Sequence, residues 1–429
     1  MGATTPNVVD CAASEESKAY TTQQIGTVAH QVEPRSSIRR PEELAWTAWP
    51  VRRFGPRTVS IQRGWVVDKA NERGADVLDA LLEYEVPEDF TKFPVVDGGA
   101  AIPKDPERVD RRQEPGDPGV DLPDYSGPFR SDLRFTDFSK EMLLNMIEMN
   151  LEYMRVWVGA WLEEAEERFG RDERLELEWL AWRDGMAPKL EGMLREFLPP
   201  AYAEERLAAA DLGSFVGERP TDGELGIDYD GPFGADPSML ELTKEELVSI
   251  LLGSHEFILQ CNQGVSMHIV MRHGFEDMFA IAWDIWSAKV LPAVKGLKER
   301  RMGIDGNDVA AFMKDLQIDS SAMPGKAFDL TFEMPEPDVG IMTFNRCPAP
   351  EMFEALGRED ILEQNCHAVC PASIEETAKL YNPNMKMDIL AIPPRVDSDH
   401  VCCRWKLSMR DEDDPEYVPV ELSPRRPAR

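Results

Sequence analysis

Asp124-Tyr-Ser-Gly-Pro-Phe129 recurs as Asp228-Tyr-Asp-Gly-Pro-Phe233, 104 residues further along the chain. The same offset then holds without a gap for roughly 70 residues, the signature of an internal repeat. Ser139-Lys-Glu141 aligns with Thr243-Lys-Glu245, each a helix N-cap followed by an acidic first turn. Gly170 aligns with Gly274, Trp179 with Trp283, Trp182 with Trp286, Pro188 with Pro292 and Gly192 with Gly296. Two unrelated helical stretches are not expected to share so many spaced Trp, Pro and Gly residues in one register. Each copy reads as a helix from the Ser/Thr cap to the glycine, which ends it. A second helix carrying the tryptophans follows. Most Trp and Met residues therefore read as core.

The differences between the copies carry the functional information. Where copy one has Leu151, Trp157, Glu164 and Phe169, copy two has His255, Cys261, His268 and His273, while Glu152 and Glu256 are the same in both. Copy one looks like a packing unit, and copy two has gained titratable groups. That pattern suggests a pocket beside copy two, with drift on a solvated face as the plain alternative.

The chain has 429 residues, which at about 150 residues per domain suggests two or three units. Lys plus Arg number 47 against 79 Asp plus Glu, a formal charge of −32. So acidic a surface repels phosphate backbones and anionic lipid, which argues against nucleic acid and membrane as partners. Met1 to Tyr20 lacks the basic start and apolar run of a signal peptide, and no apolar run of about 18 residues exists. A cytoplasmic location is the expectation, and there cysteines serve as thiols or ligands rather than as structural disulfides.

Residues 1–123 read as an N-terminal arm and linker. Within them, 1–40 are polar, 41–90 hold apolar runs and a helix at Ala75–Glu85, and 95–123 read as a linker or long wrapping loop. Such an arm suits packing on a partner, hence a homo-oligomer or a subunit of a complex. From about Asp329 the pattern becomes short apolar alternation, strand-like at Phe328–Phe332, Gly340–Phe344, Met387–Ile392 and Val401–Leu407. Ala349–Leu356 and Ser373–Tyr381 between them look helical. The expected fold class is α+β: duplicated helical units over 124–227 and 228–328, then a small cysteine-rich α+β domain over 329–410. A charged, proline-rich tail occupies 411–429.

Five of the seven cysteines lie in the last quarter: Cys347, Cys366, Cys370, Cys402 and Cys403. They sit in Phe344-Asn-Arg-Cys-Pro348, Leu356-Gly357, Cys366-His-Ala-Val-Cys370, Ile392-Pro-Pro-Arg395 and Cys402-Cys-Arg-Trp405. Taken together these segments resemble the L-2-amino-thiazoline-4-carboxylic acid hydrolase-like family over roughly residues 242–410. At the position where that family carries an acidic residue, this chain has Val369-Cys370. The resemblance implies an enzyme acting on a small cyclic or carboxylated substrate, opening a ring at its C–N bond. The α+β layout also bears a faint likeness to 4-vinyl-reductase-type sensor domains, whose cysteine cluster holds zinc.

Such chemistry needs a nucleophile, a proton donor for the leaving nitrogen and a group to hold the carboxylate. Cys347, beside Arg346, and Cys366, beside His367, are the candidate nucleophiles. His367 can shuttle protons, and Glu256, His268 and His273 are candidate pocket residues. Arg395 and Arg404 can fork a carboxylate, with Trp283 as a substrate-binding aromatic. The same cysteines also support a metal reading. Cys347, Cys366, Cys370 and Cys403 would form a four-thiolate site for zinc or an iron–sulfur cluster. A third reading leaves them as buried inert thiols. Adjacent Cys402 and Cys403 point to opposite faces of a strand, and Cys403 is taken as the one facing the site. The non-catalytic alternative is a metal-binding or ligand-sensing subunit. No Gly-rich nucleotide loop, nucleophile elbow or kinase signature is visible.

Overall fold

The computed structural model describes residues 101–210, 219, 225–322, 324 and 328–419. The expected arm, the apolar runs between 41 and 90, the helix at Ala75–Glu85 and the end of the tail lie outside the described residues.

Two 30-residue helices form the centre: α1 (Lys140–Phe169) and α5 (Lys244–His273), with bounds 104 residues apart. Ser139 Oγ caps α1 by accepting from the Met142 N–H, and Thr243 caps α5 in a reciprocal box with Glu246. Gly170 (φ 92°) and Gly274 (φ 93°) end them in a conformation that a side chain would strain. Each long helix is followed by a shorter one: α2 (Arg171–Leu180) and α6 (Phe275–Ile285). Next come α3 (Ala187–Phe197), α4 (Pro200–Ala209) and, in the second half, α7 (Leu291–Met302) and α8 (Val309–Gln317).

Between α2 and α3, and again between α6 and α7, one turn is widened into a π segment, Ala181–Met186 and Trp286–Val290. A third, Gln364–Val369, lies in the C-terminal part. Each of these ends two residues before a proline: Pro188, Pro292 and Pro371. Proline offers no N–H and crowds the carbonyl one turn back, so the preceding turn relaxes outward rather than breaking.

Long helices pack closely only where small residues allow it. A Cβ on Gly264 would lie 2.9 Å from the Ala181 carbonyl oxygen, and one on Gly253 would meet Phe233 and Phe197. The tryptophans Trp157, Trp161, Trp179, Trp182, Trp283 and Trp286 are all buried, as the repeat suggested.

The C-terminal part is a four-stranded antiparallel sheet with helices against it, which makes the chain mixed α+β. The strands are β1 (Asp329–Glu336), β2 (Val339–Arg346), β3 (Met385–Ala391) and β4 (Cys403–Met409), in the order β1-β2-β4-β3. Helices α9 (Pro348–Leu356), α10 (Glu359–Glu363) and α11 (Cys370–Tyr381) link β2 to β3. One continuous apolar core runs from Tyr125 through the long helices to Leu407 on β4. Residues 101–123 wrap this chain's own surface. Val401 N–H donates to Ile102 O, and Arg112, only 3% exposed, donates to the carbonyls of Gln317 and Ala322. Asp110 neutralises that guanidinium at 2.6 Å.

Candidate functional site

The strand register assembles the thiols. Phe344 pairs with Cys403 between β2 and β4, and the Cys402 N–H donates to Phe344 O. The start of β4 therefore lies beside Asn345, Arg346 and Cys347, the last being the N-cap of α9. Cys366 lies in the third π segment and Cys370 opens α11. Burial pushes the Cys347 thiol well up, and the nearby Cys402, Cys403, Cys370 and Cys366 push it further. Cys366 and Cys403 are raised in the same way, by burial first and by neighbouring thiols second.

Cys402 differs from the others. Burial raises its thiol only to about 11, because the Arg395 guanidinium opposes the shift and the Cys347 backbone N–H donates to the sulfur. Arg395 Nη1 lies 3.5 Å from Cys402 Sγ. The same arginine is anchored by Glu354 at 2.9 Å and has Glu351 at 3.9 Å. Arg395 is thus committed to a thiol and a carboxylate within the chain, rather than open as the carboxylate fork expected from sequence. Arg404, two residues after Cys402, has Glu333 at 3.8 Å and a buried Nε without a hydrogen bond. His367 Nε2 lies 2.5 Å from Pro393 O. A carbonyl only accepts, so Nε2 carries the proton and Nδ1 holds a lone pair. That Nδ1 is buried and makes no hydrogen bond.

Among the described residues, no group of three or more His, Cys, Asp or Glu side chains is arranged to hold a metal ion. The four-thiolate set read from Cys347, Cys366, Cys370 and Cys403, for zinc or an iron–sulfur cluster, is therefore not assembled. Cys403 Sγ accepts the Trp405 indole N–H at 3.1 Å, and Cys366 Sγ faces the Asn365 amide at 3.6 Å.

The residues singled out on α5 meet partners in the helical part. His268 faces Asp184 at 3.9 Å. His273 stacks on Phe169 at 3.7 Å and meets Glu173 at 2.9 Å. Glu256 accepts from Gln260, which accepts in turn from Lys189. Trp283 is buried, and the tryptophan that reaches a cleft is Trp286, three residues on.

That cleft was not foreseen. It is a small cleft, about 50 Å³ in volume and partly open to solvent, where α1, α7, α8 and α11 meet. Asp315 and Asp319 line it, and buried Lys298 bridges them at 3.0 and 2.5 Å. Burial alone would lower the Lys298 pKa, but the two carboxylates outweigh it and keep the ammonium charged. Burial raises Asp315, and the Asp319 charge adds to that rise while Lys298 opposes it. The positions 104 residues before Lys298 and Lys295 are Leu194 and Glu191. That difference is the sequence signal nearest to the cleft.

No protein-family model, no curated protein and no solved structure matches this chain.

Proposed function

We propose that the chain is a thiol-dependent hydrolase resembling thiazoline-carboxylate hydrolases, acting on a small cyclic or carboxylated substrate with Cys402 as nucleophile. The observation that carries this reading is the setting of Cys402. Its sulfur has a guanidinium at 3.5 Å and a backbone N–H at the start of α9, two groups that favour a thiolate, against burial, the Glu351 charge and an S–H bond to Asn345 O at 3.8 Å, which favour the thiol. In this reading the Cys402 thiol gives its proton to water. The sulfur bonds to the ring carbon, the ring C–N bond breaks, and the leaving nitrogen takes a proton from water. Water then adds to that carbon, the C–S bond breaks, and the thiol is restored. Arg404 holds the substrate carboxylate. Cys347 contributes its backbone N–H rather than its sulfur, and Cys366 is a packing thiol.

The same reading takes the two helical units as products of one duplication, of which the second diverged beside the α+β part. It places the protein in a reducing compartment such as the cytoplasm, where five close thiols stay reduced. The test is ring opening of 2-amino-thiazoline-4-carboxylate by wild-type, Cys402→Ala and Cys347→Ala proteins of equal helicity. The reading requires turnover by wild type and Cys347→Ala and none by Cys402→Ala. Turnover by Cys402→Ala at the wild-type rate refutes it.

A further inference from the structure

We propose that Lys189, on α3, is a covalent binding site for small aldehydes, which its amine takes up as an imine. Lys189 Nζ donates to Gln260 Oε1 on α5 at 2.5 Å, and Gln260 Nε2 donates to Glu256 Oε1 at 2.6 Å. The amine thus meets a neutral carbonyl, with the carboxylate one side chain further back. Among the described residues Lys189 has no ion pair. An ammonium carries three N–H donors, and a partly exposed one with a single neutral acceptor is poorly compensated for the water it has lost. Burial accordingly lowers the Lys189 pKa to about 7, with Glu256 opposing. Cys261 is the other titratable group facing it, and burial holds that thiol neutral. A large share of the amine is therefore unprotonated near neutral pH, the form in which lysine is a nucleophile.

The reaction needs no co-reactant. The amine nitrogen adds to the aldehyde carbon, and one proton moves from nitrogen to the new alkoxide oxygen. The hydroxyl then leaves as water with the remaining nitrogen proton as the C=N bond forms. The imine has no N–H, so the side chain no longer carries donors that lack acceptors, while Gln260 keeps its bond to Glu256. Glu256 also selects the class of electrophile. A carbamate made from carbon dioxide would bring an anion toward that carboxylate, whereas an imine adds no negative charge.

Positions 104 residues away show that the helix contact does not require these groups. Lys189 corresponds to Ala293, Gln260 to Val156 and Cys261 to Trp157. Glu256 corresponds to Glu152, which pairs instead with Arg301 at 2.9 Å. α1 packs on α7 with valine and alanine at the places where α5 and α3 carry glutamine and lysine. The Lys189–Gln260–Glu256 chain is thus an addition to the packing rather than a condition of it.

The test is reductive alkylation of the full chain with propionaldehyde and excess cyanoborohydride at pH 7, read by peptide mass mapping at low conversion. The reference lysines are Lys289 and Lys406, which face Glu163 and Asp388 at the surface. Lys189 is expected to react about tenfold faster, since an ordinary lysine, with a pKa of about 10.4, holds very little neutral amine at that pH. The pH at which Lys189 reacts half-maximally should fall in Glu256→Gln protein of wild-type helicity, because the carboxylate that opposes loss of the charge is gone. Alkylation of wild-type Lys189 no faster than that of Lys289 and Lys406 overturns the proposal. So does a half-maximal pH unmoved in Glu256→Gln, or rapid acetylation of Lys189 by acetic anhydride without rapid alkylation by the aldehyde.

Discussion

Asn150 Nδ2 donates to Ser254 Oγ at 2.9 Å, and the two residues are 104 positions apart in the chain. Phe169 and His273, separated by the same interval, stack with ring planes 3° apart. The two contacts are 19 residues apart on each helix, roughly 28 Å of helix length. Helices that meet at equivalent positions this far apart run parallel and in register, so an approximate two-fold axis runs along the pair.

The Asn150–Ser254 contact predicts an asymmetric response to mutation. Ser254 Oγ also donates to Leu251 O, so its hydroxyl keeps a partner when Asn150 is removed. Ser254→Ala instead strands the buried Asn150 amide. It should cost about 1–3 kcal/mol, with Asn150→Leu in the same background recovering most of the loss. Urea unfolding of the two single variants and the double variant measures this.

Two glycines make an opposed pair. Gly264→Ala forces a methyl group to within 2.9 Å of a carbonyl of the π segment and should cost about 1–3 kcal/mol. Gly159→Ala, in the interior of α1 with nothing within 4 Å of the new Cβ, should stabilise by about 0.5–1 kcal/mol. Thermal unfolding of both variants shows whether the signs differ.

The long helices were legible because their caps and terminal glycines are local signals: Ser139, Thr243, Gly170 and Gly274 act on adjacent backbone. The strands were legible from alternation to within a few residues. The cleft was not legible, since Lys298, Asp315, Asp319, Tyr153 and Tyr381 come from four segments and none forms a motif by itself. Which of Cys402 and Cys403 lies beside a cation was not legible for a related reason. Alternation says that the two point apart, but only the loop carrying Arg395 decides which sulfur meets a cation.

Lys298→Met should be strongly destabilising at neutral pH, by about 3–5 kcal/mol, because two buried carboxylates lose their shared cation. The pH dependence has a definite sign. Burial raises the folded-state pKa of Asp315 above its ordinary 3.8, so between 3.8 and the raised value native protein holds a proton there that unfolded protein has lost. Stability from that group is greatest in acid and falls as pH rises through the raised value. Removing Lys298 enlarges the shift, so the penalty of Lys298→Met should shrink as pH is lowered from about 7 to about 5. Denaturant unfolding across that range tests it, and a constant penalty contradicts it.

Arg395→Met removes the cation that opposes burial at Cys402. The Cys402 pKa should rise further, and its alkylation near neutral pH should slow by roughly tenfold as the thiolate fraction drops. Peptide-resolved iodoacetamide labelling measures this, with Cys370, which burial raises to about 12, as the internal reference.

The central claim is that Cys402 forms the covalent bond to substrate. Its most direct test is acid quenching of the wild-type protein during turnover of 2-amino-thiazoline-4-carboxylate, followed by peptide mass mapping. The account predicts a substrate-derived mass on the peptide containing Cys402, absent when Cys402→Ala is treated in the same way. An adduct on Cys347 or Cys366 instead, or turnover with no adduct on any thiol, contradicts it.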